Sequence, residues 1–285
     1  MGALPNPTRN PSVQLPSRST IRSFQRRILA YYQCCGRKLP WRQTHDPWHI
    51  LISEVMLQQT QVERVLVKFN DFIKKFPDPA SLDRAPLHAV LAAWSGLGYN
   101  RRALALKKCA RILCARHQGR VPEEYETLLS LPGIGPSTAA AVCVFAFNKP
   151  LVFIETNIRT VYLHVFFPKD HAVSDQKLLP VVAETLYQKD PRTWYNALMD
   201  YGAYLKRQGN NPGRRSSQYT RQQPFRGSDR ELRGSVLKLL LAKSPLTLTG
   251  IVKATGNDAQ RVRSIVEQLV AEGFICRRGR LLALP

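Results

Sequence analysis

Apolar residues recur at steps of three and four along most of the chain, and this period limits the possible fold more than any other feature. In the first stretch they are Ile21, Phe24, Ile28 and Tyr32. Side chains at this spacing share one face of an α-helix, whereas a half-buried strand needs strict alternation. Residues 19–204 continue the helical period without a convincing alternating run. The sequence therefore predicts an all-α core of eight to ten helices.

Composition divides the chain into four segments. Residues 1–18 are rich in Pro and Ser and lack acidic residues, so we predict a disordered basic arm, with an organellar transit peptide as the alternative. Residues 19–206 carry the helical core. Residues 207–227 are polar and basic, which is typical of a linker or a strap along DNA. Residues 228–285 follow a helix–helix–helix–hairpin pattern, which favours a small winged-helix-like module over a plain helical cap with a hairpin.

The chain is strongly basic, with 42 Lys and Arg against 20 Asp and Glu among 285 residues, a net charge of +22. Such a charge attracts polyanions, and nucleic acid is the partner we expect. An anionic membrane surface and a basic protein without such a partner are the alternatives. The longest apolar runs, such as Ala139–Phe147, are about half of a membrane span. Six cysteines without regular spacing indicate a reducing compartment, and we expect a cytoplasmic protein, nucleoid-associated in a prokaryote.

A glycine-rich turn, Leu131–Gly135 (LPGIG), separates two helical patterns. Glycines let backbone N–H groups turn outward, and Pro136 suits the first position of the following helix. A helix N-terminus with exposed amides binds phosphate without reading bases. The residues predicted to hold a DNA backbone here are Gly133, Ile134, Gly135, Ser137 and Thr138. A tight helix–helix corner is the alternative.

Four stretches occur in the order and spacing of the helix-hairpin-helix DNA glycosylases. They are Leu39–Arg42 (LPWR), Ser53–Val62 (SEVMLQQTQV), Trp94–Tyr99 (WSGLGY) and Leu131–Gly135, which is followed by Ser137, Thr138 and Ala139. Over about residues 20–205 the chain resembles this superfamily, and within it the MutY family of adenine glycosylases. SEVMLQQTQV is the most specific of the four stretches.

The resemblance implies two helical lobes with DNA and an extruded base in the cleft between them. Residues 48–152 would form one lobe, and residues 19–47 with 153–206 the other. Bases cannot be reached inside the duplex, so the target base must be flipped out of the stack.

The same resemblance assigns the chemistry to two carboxylates. Cleaving a purine N-glycosidic bond leaves positive charge on the sugar and negative charge on the base. Glu54 matches the family's catalytic acid, and a carboxyl half-buried on an apolar helix holds its proton more tightly than one in water. Glu155 aligns with a family Asp that stabilises the sugar cation, and Asn157 would help to hold that carboxylate and the water.

Glu155 is a departure from the family pattern, because its side chain is one methylene longer than Asp. A misplacement of about 1.5 Å can lower a rate by a hundredfold if nothing compensates for it. The site has re-formed around Glu, or the substrate has changed, or catalysis is lost.

Six further residues are assigned to the base pocket and the duplex by the resemblance: Trp41, Arg42, Gln58, Gln59, Tyr99 and Ser137. Gln59 would fill the base stack, and Tyr99 would wedge beside the opposing base. A buried core aromatic is the alternative for Tyr99, and a core Trp and a surface Arg are the alternatives for Trp41 and Arg42. Endonuclease III-type relatives carry a Lys where this chain has Ser137, and that Lys forms a Schiff base. Hydrolysis without strand cleavage is therefore expected.

Two parts of the family pattern are missing. Most members hold a [4Fe–4S] cluster with four cysteines just after the helix matching Asn196–Leu205, but here Lys206 stands near the first, and no Cys occurs between Cys143 and Cys276. We expect no cluster, no metal and no other cofactor, and expect Arg214, Arg215 and Arg221 to contact the DNA backbone instead. The tail is too short for the family's Nudix-like domain, so recognition of the opposite base is in doubt.

Together these features predict a monomeric, monofunctional DNA glycosylase that binds double-stranded DNA with a mismatch or lesion, and no membrane. Its expected target is adenine opposite 8-oxoguanine or guanine. A mismatch glycosylase for uracil, thymine or another altered base, and a DNA-damage binding module without turnover, are the alternatives.

Overall fold

The computed structural model describes residues 14–209, 211–221 and 224–285 and is mostly helical, which confirms the predicted all-α class. Of the predicted basic arm, residues 1–13 lie outside the described residues. Within the described ranges no helix has the length and apolar character needed to cross a bilayer. The core helices are α1 (Arg18–Cys35), α2 (Pro47–Leu57), α3 (Val62–Lys75), α4 (Pro79–Arg84), α5 (Leu87–Trp94), α6 (Arg101–Arg116), α7 (Tyr125–Leu129), α8 (Pro136–Phe147), α9 (Thr156–Val165), α10 (Asp175–Glu184) and α11 (Pro191–Arg207).

The core thus has eleven helices in its described part, against the eight to ten predicted. The two shortest, α4 and α7, have six and five residues. Helices of one to two turns are too short to show a period of 3.6 in an apolar pattern. Short 3₁₀ turns add Pro40–Arg42 before α2 and Pro212–Arg215 after α11.

The chain divides into two compact units. The first contains the described residues up to Leu51, with Pro122–Ser130 and Ile134–Arg221, and the second contains Ile52–Val121, Leu131–Gly133 and the described part of 222–285. This division differs from the sequence-based lobe boundary at residue 152, because α7 and α8 group with the first unit. The predicted domain limits stay a prediction.

The first unit is built around α1, α9 and α11. Phe24 of α1 meets Tyr162 and Trp194 edge to face, with ring centroids 5.6 and 5.5 Å apart. Both partners are fully buried. Gly202 of α11 packs so closely on α9 that a Cβ atom would overlap the backbone carbonyl of Asn157. This close approach sets the distance between the two helices at the start of α9.

In the second unit a buried arginine fixes the end of α2. Arg102 donates from Nη1 to the carbonyl oxygens of Val55, Met56 and Gln58 at 2.6–2.9 Å. The last carbonyls of a helix need such partners from outside it. The Arg102 guanidinium also lies over the Trp94 ring, 5.3 Å from the centroid. The last turn of α2 is therefore held by a side chain from α6.

Residues 228–285 form the predicted helix–helix–helix–hairpin order. The elements are α12 (Asp229–Lys243), β1 (Leu246–Thr247), α13 (Leu248–Thr255), α14 (Ala259–Ala271), β2 (Cys276–Arg278) and β3 (Leu281–Ala283). The three strands pair antiparallel in the order β1-β3-β2. Ser228 caps α12, as its position in the sequence predicts. The predicted order of elements is therefore present, and the assignment to a winged-helix module stays a prediction.

The segment predicted as a linker or strap is partly folded onto the first unit. Pro212 and Gly213 are buried, and the backbone of Val173 exchanges hydrogen bonds with Arg215 and Ser217 at 3.0 Å. The sequence did not predict this packing, because the segment has few apolar residues. The packing depends on backbone hydrogen bonds and on Pro212 and Gly213. Within residues 207–227, the described residues after Ser216 are exposed.

Candidate active site

Glu155 lies at the N-terminus of α9, and its carboxylate caps that helix. Oε1 accepts the backbone N–H groups of Asn157 and Ile158 at 2.7 and 2.9 Å. The side-chain amide of Asn157 donates to Oε2 at 3.2 Å. Glu is an unusual capping residue, because Asp reaches these amides with one methylene fewer. Glu155 is therefore fixed in place by groups that favour its charged form.

The electrostatic setting of Glu155 is a balance. Burial raises the pKa of this carboxyl, and the N–H groups of Ile158 and Asn157 and the cations Lys206 and Arg159 act in the opposite direction. Arg159 is itself paired with Asp175, with Nη2 and Oδ2 2.6 Å apart. Lys206 is in none of the ion pairs found among the described residues, and the acidic group that its charge interacts with is Glu155 itself. Ionisation of Glu155 depends on these few groups.

Sequence reasoning missed Lys206 as a site residue and noted it only as the residue that stands near the first cluster cysteine of the family. Lys206 lies in the last turn of α11, and its Nζ donates to Oδ1 of Asn157 at 2.8 Å. Burial lowers the pKa of this ammonium, and the charge of Glu155 counteracts that shift. Lys206 follows Gly202 by four residues, which puts both on one face of the same helix. This spacing is the signal in the sequence that could have pointed to Lys206.

The predicted hairpin residues lie just before α8 and in its first turn. Gly133 has a φ of +79°, a conformation that glycine adopts without strain, and Gly135 is the N-cap residue, followed by Pro136. Ile134 is buried, whereas Ser137 is exposed and Thr138 is partly buried. The Ser137 hydroxyl donates to the carbonyl of Ile154 at 3.4 Å, so the first turn of α8 adjoins the residue before Glu155.

Glu54 lies in the second unit, in the last turn of α2. It is partly buried between Ser53 and Val55, whose exposed fractions are 1% and 2%. The same turn is anchored by Arg102 through the carbonyl of Val55. The two predicted catalytic carboxylates thus belong to different units of the chain.

The residues predicted to enter the duplex share an uncommon backbone conformation. Gln59 has φ +54° and Tyr99 has φ +49°, in the left-handed region that costs a residue other than glycine about 1–3 kcal/mol. Gln58 instead donates from Nε2 to the carbonyl of Gly133 at 3.2 Å. Gln59 is exposed. Such strain is concentrated at functional positions, and two of the predicted duplex residues carry it.

Tyr99 also contacts the C-terminal module. Arg230 of α12 donates from Nη1 to the Tyr99 hydroxyl at 3.0 Å, and the Arg102 guanidinium lies 5.5 Å from its ring centroid. Nearby, Glu272 pairs with Arg101 and Arg233, each at 2.6 Å. The hydrogen bond from Arg101 is the main reason that the pKa of Glu272 is lowered to about 2. The module therefore packs beside the Tyr99 turn.

Trp41 and Arg42 follow α1 in the first unit. Trp41 is buried, and Arg42 binds Asp200 with two hydrogen bonds of 2.8 and 2.9 Å. Burial alone would raise the pKa of Asp200, but Arg42 and Arg37 outweigh it and hold that pKa below its usual range. The guanidinium of Arg42 is therefore engaged within the fold.

The three arginines predicted to contact the DNA backbone are placed differently. Arg214 and Arg221 are exposed. Arg215 instead donates to the carbonyls of Leu163, Phe167 and Pro168, the first two at 2.7 and 2.6 Å, and so closes the C-terminal end of α9.

The side chains present do not fit an iron–sulfur cluster. Such a cluster needs four thiolates, and the sequence has no cysteine from residue 144 to residue 275. Cys109 and Cys143 are buried, and burial raises their thiol pKa values to about 12 and about 11. Throughout the described ranges, no group of three His, Cys, Asp or Glu side chains is placed to hold a metal ion.

Comparison with known proteins identifies the family of this chain. The model of the HhH-GPD superfamily of base excision DNA repair proteins matches residues 52–180. An adenine DNA glycosylase of Mycobacterium tuberculosis (strain CDC 1551 / Oshkosh) is 34% identical over 295 residues, which cover 90% of this chain and 92% of that protein. A thymine/uracil-DNA glycosylase of Pyrobaculum aerophilum is 34% identical over 145 residues, covering 50% of this chain and 63% of that protein.

Among solved structures, that of a thermostable thymine-DNA glycosylase superposes with a TM-score of 0.58 and 27% identity, over 65% of this chain and 87% of that one. The chain therefore belongs to the HhH-GPD superfamily of base excision DNA repair proteins. It is a DNA glycosylase, an enzyme that hydrolyses the N-glycosyl bond between a base and its deoxyribose.

Proposed function

We propose that this glycosylase removes adenine mispaired with 8-oxoguanine or guanine. The observation that carries this proposal is the match to the mycobacterial adenine glycosylase, which spans 90% of this chain rather than the helical core alone. Glu54 supports it, because a departing purine accepts a proton on a ring nitrogen and an acid in this motif can supply it.

Each carboxylate has a distinct role in this reaction. Glu54 protonates the base as the glycosidic bond breaks, and the negative charge of Glu155 stabilises the cation that forms on the sugar. Asn157 orients Glu155 through its side-chain amide. Water then adds to the sugar cation and gives up a proton to the solution. Ser137 offers no amine for a Schiff base, so the product is an intact strand with an abasic site.

A panel of duplexes that carry adenine, thymine or uracil opposite 8-oxoguanine or guanine tests the proposal. Each is incubated with the enzyme and analysed with and without alkali. We expect strand breaks at adenine only after alkali. Breaks without alkali would show a lyase step, and binding without breaks would show a damage-binding module without turnover.

Removal of thymine or uracil is the second candidate. It is favoured by the similarity to the Pyrobaculum thymine/uracil-DNA glycosylase and by Glu155, which replaces the Asp usual in the adenine glycosylases. In the same panel this function gives alkali-dependent breaks at the pyrimidine and none at adenine.

Base flipping is proposed to use Gln59 in the vacated stack and Tyr99 beside the opposing base. The C-terminal module supports Tyr99 through Arg230 and adds basic side chains for the DNA backbone. We expect a chain truncated after Gly227 to excise a good substrate but to bind DNA and discriminate lesions less well. Complete loss of excision by a folded truncation would show that the module completes the active site.

The enzyme is further proposed to work without an iron–sulfur cluster, because its cysteines do not provide the ligands. The purified protein is expected to be colourless, without the absorption near roughly 400 nm of an iron–sulfur protein. Stoichiometric iron after anaerobic purification would contradict this.

Arg214 and Arg221 are proposed to bind DNA phosphates in a monomeric, cytoplasmic enzyme. Replacing both by Ala should weaken binding to matched and lesion duplexes alike, and lower the salt slope by about 1 for each phosphate that the variant no longer neutralises. Arg215→Ala is the matched comparison, since this side chain closes α9 and its removal should lower stability instead. Unchanged affinity of the double variant would show that the segment is only a linker.

A further inference from the structure

The last turn of α11 brings a lysine to the catalytic end of α9. Gly202 has no side chain at the point where α11 meets the backbone of Asn157, so the two helices approach closely there. Lys206 lies four residues further on, on the same face of α11. Its Nζ reaches Oδ1 of Asn157 at 2.8 Å.

Asn157 links this lysine to the carboxylate. Its Oδ1 accepts from Lys206, and its Nδ2 donates to Oε2 of Glu155 at 3.2 Å. The hydrogen bond from Lys206 to Oδ1 thereby fixes the orientation of the Asn157 amide, so that Nδ2, the end that can donate, is turned toward the carboxylate of Glu155. A chain of two hydrogen bonds runs from α11 to Glu155.

We propose that Lys206 is a positioning residue of this glycosylase, which orients Asn157 and keeps Glu155 in its charged, reactive form. The inference rests on the proposed role of Glu155. Lys206 stands near the place where the resemblance puts the first cluster cysteine of most family members.

The charged groups that face Glu155 limit what else could perform this role. From α9 there is Arg159, but its guanidinium is paired with Asp175 of α10. From α11 there is Lys206, whose ammonium is bonded to the neutral Asn157. Removing Lys206 therefore takes away a cation whose charge is not already balanced by its own acidic partner, and the carboxyl of Glu155 should then take up a proton at higher pH.

The test compares Lys206→Met with Lys206→Arg and Arg207→Met in the full-length chain. Single-turnover excision is measured with saturating enzyme from pH 5 to pH 9. Arg207 is exposed, so its replacement removes the same charge from the same turn of α11 without touching Asn157. It controls for DNA affinity and for charge at the helix end.

For Lys206→Met we expect the acidic limb of the rate profile to move up by about one pH unit, so that the rate falls roughly tenfold on that limb and little on the plateau above it. Lys206→Arg keeps the charge and a donor, so the limb should stay near its wild-type position. Arg207→Met should leave the profile unchanged.

A pH-independent loss in Lys206→Met, or a profile equal to that of Arg207→Met, would overturn the proposal. Should Lys206→Met not fold, as judged by circular dichroism, a shifted limb in Lys206→Arg would contradict it. Glu155→Gln is measured in parallel. If Glu155→Gln excises normally, the proposed role of Glu155 fails; if only the Lys206 variants behave as wild type, this inference alone fails.

Discussion

Glu54 and Glu155 are the same residue type at opposite ends of helices. Glu54 lies in the last turn of α2, where the nearby backbone groups are carbonyls, three of which are bound by Arg102. Glu155 precedes the first turn of α9 and accepts two of its N–H groups. The start of a helix favours a negative charge, and its end disfavours one.

One fold can thus obtain an acid and a charged stabiliser from two glutamates. A proton donor gains from surroundings that do not favour its charged form. A group that faces a developing cation needs N–H donors and cations to stay charged, and Glu155 has both, although burial raises its pKa. The backbone decides much of this division before any substrate binds.

Glu155→Gln is expected to have the largest effect. Gln keeps the size and still accepts N–H groups through its oxygen, but it cannot oppose the positive charge on the sugar. Single-turnover excision should fall by about 10³-fold, with DNA binding retained. Measured binding to lesion duplexes is the control. Normal excision by this variant would remove Glu155 from the mechanism.

Glu54→Gln should cost less, about 10²-fold, because it removes a proton donor but leaves the stabilising charge in place. The measurement is the single-turnover excision rate, with binding to lesion duplexes as the control. If Glu54→Gln loses as much rate as Glu155→Gln or more, this ranking of the two roles is wrong.

Glu155→Asp keeps the negative charge at this position but shortens the side chain by one methylene group. Asp is a good N-cap residue, so α9 should stay capped, but the carboxylate should withdraw by about 1.5 Å from the sugar. We expect a loss of up to about 10²-fold in adenine excision if the site has re-formed around Glu. A faster Asp variant would show that Glu155 is adapted to a different base.

Much of the fold was predictable from local patterns. The helical period of α1 and the cap at Ser228 needed only neighbouring residues. The short helices α4 and α7 and the folded 3₁₀ turn at Pro212–Arg215 were missed. They depend on tertiary packing and backbone hydrogen bonds, which leave little trace in an apolar pattern.

The site residues that lie in a sequence motif were predictable. Contacts between residues that are far apart in the sequence were not. Glu155 was named from its place in the chain, but its role as N-cap of α9 appears only in the structure. Lys206 is 49 residues from Asn157 in sequence, and only the approach of α11 at Gly202 brings the two together. Arg42 was assigned to the base pocket and Arg215 to the DNA backbone, and the structure adds that both side chains form hydrogen bonds within the fold.

The smallest expected effect concerns stability against pH. The pKa of Glu155 in the folded chain lies above its usual 4.5, so in the window above pH 4.5 the folded state holds more protons than the unfolded state. Stability contributed at this site therefore falls as the pH rises through that window. Relative to wild type, Glu155→Gln should become more stable between pH 4.5 and pH 7, as measured by urea unfolding.

Glu272 supplies the control of opposite sign. Its pKa is lowered to about 2 by Arg101 and Arg233, so its contribution is present above pH 4.5 and is lost as the pH falls toward 2. Glu272→Gln should thus be less stable than wild type at pH 7, and the gap should close in acid. If the stability difference between Glu155→Gln and wild type does not change with pH while that of Glu272→Gln does, burial does not govern the ionisation of Glu155. The comparison between the two helix ends would then rest on N–H donors alone.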